Sequence, residues 1–138
     1  MSVEPQRFVL DSFALLAYLG DEPGRGRVEA VLTAAAHEEC FSYVSIINQG
    51  EVLYITERES GLAQAQAALA ALDQLPLSVL PADREAVLAA AHVRAHHRLS
   101  YAVAYAVAAA QALDATVLTG DPEFASVGSL LSVEWLAS

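Results

Sequence analysis

The sequence predicts an α/β fold, a single domain over residues 1–138 with a central, mostly parallel sheet of about five strands flanked by helices. Three observations carry that expectation. Short apolar runs rich in β-branched residues alternate with longer stretches of helical periodicity. No linker and no internal repeat interrupts the alternation, and alternating elements pack as parallel strands with helices on the sheet faces. The chain has 138 residues, 55% of them hydrophobic, which suffices for a substantial core.

In chain order, Phe8-Val9-Leu10 makes Arg7–Asp11 the first strand, and Asp11-Ser12 ahead of Phe13-Ala14-Leu15-Leu16 opens a helix over Ser12–Leu19. Gly26–Ala36 reads as a second helix and Cys40–Val44 as a second strand. Ser45–Glu59 and Leu62–Leu72 are helical, and Leu77–Leu80 is extended. Helices follow over Asp83–His97 and Ser100–Leu113, then strands at Thr116–Thr119 and Leu131–Trp135. The uncharged stretch Leu99–Leu113 contains Ser100 and Gln111 and falls short of the ~20 apolar residues of a membrane span, so it reads as a buried helix. It is apolar almost all round, and a sheet covers only one side of a helix. The expectation is therefore a homodimer with this helix near the interface.

Charge excludes several function classes. Seven cations, all Arg, stand against 17 acids for a net charge of −10, which rules out a large basic nucleic-acid footprint. Without a Lys, a phosphate-loop NTPase, a Schiff-base enzyme and a receiver-type phosphotransfer domain are excluded. Cys40 is the only cysteine and cannot form an intrachain disulfide, and the opening Met1–Arg7 is too polar for a signal peptide. A cytoplasmic location is expected.

In an open α/β sheet, ligands bind beyond the carboxyl ends of the strands, where strand order reverses. Asp11 and Asp121 both end a predicted strand. Each also has a plain reading as a helix cap or turn residue. Glu51 is harder to dismiss, because Ile47, Tyr54 and Ile55 place it on the apolar stripe of its helix, where a carboxylate needs a cation, either an Arg or a metal. Three carboxylates brought together would repel one another unless a divalent ion neutralised them. All-oxygen ligation suits Mg²⁺ or Mn²⁺, which lowers the pKa of a bound water and stabilises charge on phosphate oxygens. Phosphodiester hydrolysis is the chemistry such a site performs.

Four segments resemble the PIN-domain family, specifically the VapC-type toxin ribonucleases of toxin–antitoxin pairs. They are Val9-Leu10-Asp11-Ser12-Phe13-Ala14-Leu15-Leu16, Ser45-Ile46-Ile47-Asn48-Gln49-Gly50-Glu51-Val52, the stretch from Leu99 to Ala108, and Thr116-Val117-Leu118-Thr119-Gly120-Asp121-Pro122-Glu123-Phe124. The resemblance implies an acidic cleft holding Mg²⁺ or Mn²⁺, an RNA substrate, a homodimer and a cognate antitoxin that blocks the cleft. Asp11, Glu51 and Asp121 match the first, second and fourth family acids and would be the catalytic and metal-holding residues, with Thr119 as the site-orienting hydroxyl. The third acid is absent. Val103 stands at its position, with flanking residues that align without a gap.

With Ser100 as N-cap, residue 103 is the third helical position, where an acid would complete a capping box and face the positive helix end. Losing it implies weaker metal binding and reduced or lost cleavage. Asp21, Glu22 and Glu123 are the acids that could compensate, each with an alternative reading as a solvated loop or turn residue. A second function remains open on the same scaffold, an inactive binding module that engages an antitoxin or another copy of itself.

Other signals read as structural. His92 and His96 have the spacing of two zinc ligands, but no Glu follows His92, and cations at a helix end are favoured by its dipole. Gly24-Arg25-Gly26-Arg27 does not follow a strand and reads as a flexible turn, while Arg25 and Arg27 are candidates to contact RNA phosphate or an acidic partner. Cys40 reads as a buried strand residue, and Tyr105 and Trp135 as core or subunit contacts.

Overall fold

Each apolar run becomes a strand of one sheet, because in parallel sheets both faces are covered and strands can be apolar throughout. In the computed structural model, which describes residues 4–137, the strands are β1 (Gln6–Leu10), β2 (Cys40–Ser45), β3 (Ser78–Leu80), β4 (Thr116–Thr119) and β5 (Ser132–Trp135). The first three residues of the polar amino-terminal segment, and Ser138, lie outside the described residues. The helices are α1 (Ser12–Leu19), α2 (Arg25–Ala36), α3 (Ile46–Ser60), α4 (Leu62–Asp73), α5 (Arg84–His96) and α6 (Tyr101–Leu113), and a 3-10 helix spans Pro122–Val127. These bounds agree with the sequence reading to within a few residues at each end.

All four strand pairings are parallel, in the order β3-β2-β1-β4-β5. The chain winds from β1 outward through β2 to β3 and then returns to the other side of β1 to lay down β4. The order therefore reverses between β1 and β4, with Leu10 opposite Leu118 in the register. Asp11 and Thr119 follow directly from that pair.

Alternation along the strands divides the core in two. Val9 and Val117 pack on the α5–α6 side with Ala90, Val107 and Phe124. Phe8, Leu10 and Leu118 pack on the α1–α2 side with Leu15, Val28 and Leu32. Arg27 fastens α2 to β5 through two bonds to the Glu134 carboxylate, at 2.6 and 3.0 Å. That pairing holds Glu134 below the usual carboxylate range and raises Arg27.

The surroundings of α6 differ from expectation. Its other faces are covered by α5 and α3 of the same chain, so its burial does not require a partner copy. Trp135 is half exposed at the end of edge strand β5, not in the core, whereas Tyr105 and Cys40 are buried. Among the described residues, no helix is long and apolar enough to cross a membrane.

Candidate functional site

The reversal of strand order opens a crevice at the carboxyl ends of β1 and β4, the place where open α/β sheets bind ligands. Asp11 leaves β1 and Asp121 follows β4, α3 brings Glu51, and the first turn of α6 brings Val103. These four, with Asn48, line one cleft of about 240 Å³. The fold thus collects side chains from four distant segments, Asp11, Glu51 and Asp121 among them.

Asp11 is the most deeply placed acid, 3% exposed. Its Oδ1 accepts the Ala14 N–H at 3.0 Å, so it caps α1, and its Oδ2 accepts the Thr119 hydroxyl at 2.5 Å. Burial pushes its pKa up to about 7, with the Asp121 charge adding to the rise and the Thr119 and Ala14 bonds opposing it. Capping and site placement are therefore one arrangement, not alternatives. Asp121 caps the 3-10 helix in the same way, accepting the Glu123 N–H at 2.9 Å. Gly120 precedes it because a Cβ there would lie 2.3 Å from the Phe13 ring.

Thr119 links the two aspartates. Its fully buried hydroxyl donates to Asp11 and accepts the Asp121 N–H at 2.9 Å. Thr119→Val keeps the shape but leaves the Asp121 amide and one Asp11 oxygen without partners. Chemical denaturation should show a loss of about 1–3 kcal/mol, and an unchanged midpoint would mean that the hydroxyl does not organise this crevice.

Glu51 is half-buried and meets neither an Arg nor any other cation among the described residues. Its Oε1 accepts the Ser12 hydroxyl instead, and Tyr54 turns outward, about half exposed. Ser12 is in turn steadied by Asn48, whose Nδ2 donates to Ser12 Oγ at 3.4 Å and to the Ala102 carbonyl at 3.0 Å. A carbonyl only accepts, which fixes the orientation of the amide and leaves Asn48 Oδ1 buried without a partner. Ser12 and Asn48 escaped the sequence reading. The only available signal was a polar residue, Asn48, one turn before Glu51 on a face that is otherwise apolar.

Val103 is 5% exposed and sits at the third position of α6, its N–H donated to Ser100 Oγ at 3.2 Å. An acid there would normally accept the N-cap amide. Here Glu123 does so from the 3-10 helix, its Oε1 accepting the Ser100 N–H at 2.9 Å. Glu123 thus takes over the capping bond without lining the cleft, and neither Asp21 nor Glu22 lines it.

The donor set suits a hard divalent cation: three carboxylates and an orphaned amide oxygen, all oxygen ligands. A carboxylate has about four acceptor positions, so the protein bonds to Asp11, Glu51 and Asp121 leave capacity. Among the described residues, no three Asp, Glu, His or Cys side chains converge closely enough to ligate an ion as they stand.

Both arginines near α1 are engaged elsewhere. Arg25 donates to the Tyr18 carbonyl and lies over the Tyr18 ring, and Arg27 is held by Glu134. His92 and His96 stand edge to face with ring centroids 4.9 Å apart on the exposed side of α5.

A family model described as PIN domain matches residues 8–130. No curated protein matches the sequence. Among solved structures, the chain is similar to VapBC2 from Rickettsia felis bound to a promoter DNA fragment, at 15% identity and TM-score 0.76, covering 96% of this chain and 100% of that one. It is similar to DNA-bound VapBC from Salmonella typhimurium, at 18% identity and TM-score 0.74 over 94% and 97% of the two chains. VapC20 of Mycobacterium tuberculosis, a Sarcin-Ricin loop cleaving toxin, matches at 17% identity and TM-score 0.70 over 88% and 95%. At these identities the likeness is one of fold.

Proposed function

The chain belongs to the PIN domain family, and from that premise we propose that it is, as one domain over residues 1–138, a VapC-type endoribonuclease toxin of reduced activity. The observation that carries this reading is that Asp11, Glu51 and Asp121 line one crevice at the strand-order reversal. Asp11, Glu51 and Asp121 would hold Mg²⁺ or Mn²⁺. When bound, the ion supplies a more acidic water and charge stabilisation on the phosphate oxygens. Thr119 keeps the Asp11 and Asp121 segments in register, and Ser12, steadied by Asn48, aims Glu51. Val103 removes a charge from the cleft wall and weakens its hold on the ion.

A cognate antitoxin is the protein partner, a reading supported by the VapBC complexes among the structural neighbours. A homodimer and a cytoplasmic location belong to the same reading. The homodimer is supported by the apolar groove that Leu80, Ala86, Ala89, Tyr105 and Ala109 line between β3, α5 and α6.

Val103 also favours a second reading, a catalytically inactive module that engages the antitoxin or another copy of itself. Calorimetric titration with Mn²⁺, run beside cleavage of a labelled RNA, separates the two. The ribonuclease reading expects weak Mn²⁺ binding and slow cleavage that EDTA abolishes. No heat of binding and no cleavage at any Mn²⁺ concentration would leave the binding module.

A further inference from the structure

A chain of net charge −10 with an acidic cleft repels RNA unless a local group of cations holds it. Of the arginines without an ion-pair partner among the described residues, only Arg94 and Arg98 line one depression together. Arg7 donates to the Leu113 carbonyl, Arg25 to that of Tyr18, Arg27 is paired with Glu134, and Arg58 lies over the Tyr54 ring. Arg94 and Arg98 have no ion-pair partner among the described residues, and both are exposed. With His97 and Ser100 they line one shallow depression where α5 gives way to α6.

No acid occurs in the chain from Ala86 to Leu113, and the acid that reaches the depression from elsewhere is Glu123, bonded to the Ser100 N–H. Leu99 is buried and pins the connecting segment, so that Arg98 and Ser100 on either side of it are exposed. The helix dipole favours cations in the last turn of α5, which accounts for Arg94, but Arg98 lies beyond that helix. The depression adjoins the cleft through the first turn of α6, because Ser100 lines the one and Val103 the other. One helical turn advances about 5.4 Å. The Ser100 N–H is already given to Glu123, so the amino end of α6 offers that amide to no anion and the arginines are the donors of the depression.

We propose that Arg94, His97 and Arg98 form a subsite for the backbone phosphates of single-stranded RNA flanking the bond in the acidic cleft. The proposal rests on the ribonuclease reading. Its anchor groups are guanidinium forks, suited to bidentate phosphate contact, and they bind without reading sequence.

The test is fluorescence anisotropy of a labelled single-stranded RNA in EDTA, across a salt series, with the wild-type chain, the R94A/R98A double variant and R84A. Removing the metal separates binding from cleavage. Arg84 lies at the opposite end of α5, is exposed, and controls for the loss of a positive charge remote from the depression, one against the double variant's two. The double variant should bind about tenfold or more weakly. Its salt slope should be shallower by about 0.7 for each lost phosphate contact, about 1.4 in all. R84A should match wild type. Equal slopes for wild type and the double variant, or an equal loss in R84A, would overturn the subsite while leaving the ribonuclease reading intact. Polyglutamate competing as well as RNA at matched charge would overturn it in favour of an acidic protein segment. No RNA binding by the wild-type chain at low salt would overturn both.

Discussion

Val103→Asp raises Mn²⁺-dependent RNA cleavage by about 10²-fold or more, the scale expected when a metal site regains a ligand. The reason is local. Residue 103 is held at the third position of α6 by the Ser100 cap, its side chain lines the cleft with Asp11, Glu51 and Asp121, and the capping bond an acid would otherwise make is already supplied by Glu123. An introduced carboxylate is therefore free to serve the cleft.

The same substitution has a signature in stability. Val103 is packed in the α5–α6 core, and replacing it forfeits about 1.5–3 kcal/mol of apolar burial and adds a fourth carboxyl group beside three others. Without metal the Val103→Asp protein melts lower than its parent, and Mn²⁺ restores more stability to it than to the parent. Differential scanning fluorimetry with and without Mn²⁺, beside cleavage of a labelled RNA, measures both. Equal cleavage rates in the two proteins would show that position 103 does not limit the site.

Asp11→Asn gives the second large effect. In the Val103→Asp background it returns cleavage to the uncatalysed rate, while in the original chain it changes how stability depends on pH. Asp11 has a folded pKa of about 7 against an ordinary value of 3.8, so the folded protein holds a proton that the unfolded chain releases between those values. Metal-free stability therefore falls as pH rises from about 4 to about 7 and levels beyond, by a few kcal/mol at most. Asn keeps an acceptor for the Ala14 cap and carries no charge, so this contribution disappears. Denaturation at pH 8 should find Asp11→Asn the more stable protein, with the difference vanishing near pH 4. Mn²⁺ should narrow the gap at pH 8 by favouring the ionised carboxylate of the parent. A parent whose metal-free stability is flat across that range would mean that Asp11 ionises without cost.

Much of the fold and the placement of the acids could be read from local pattern. Apolar β-branched runs alternating with helical stretches identified the strands and helices, because side-chain periodicity is a property of neighbours in the chain. The position of residue 103 was equally legible, since a Ser N-cap sets the helical frame for the three residues after it. Asp11 and Asp121 stood out as polar residues ending apolar runs.

The partners of those residues were decided by tertiary structure. Sequence suggested an Arg or a metal for Glu51; the fold brings no Arg there and adds the Ser12 hydroxyl as a partner, because α1 and α3 meet beside the crevice. Thr119 and Asp11 bond across more than a hundred residues only because β4 returns to lie beside β1. Arg25 and Arg27 were candidates to meet an anion, yet Tyr18 and Glu134 hold them, while Arg94 and Arg98 line a depression between α5 and α6. The burial of α6 was expected to need a second subunit, whereas α5 and α3 of the same chain supply most of that cover, which leaves the dimer itself to the groove between β3, α5 and α6. Periodicity determines which face of an element is apolar, whereas strand order and helix packing determine what that face, and each charge beside it, meets.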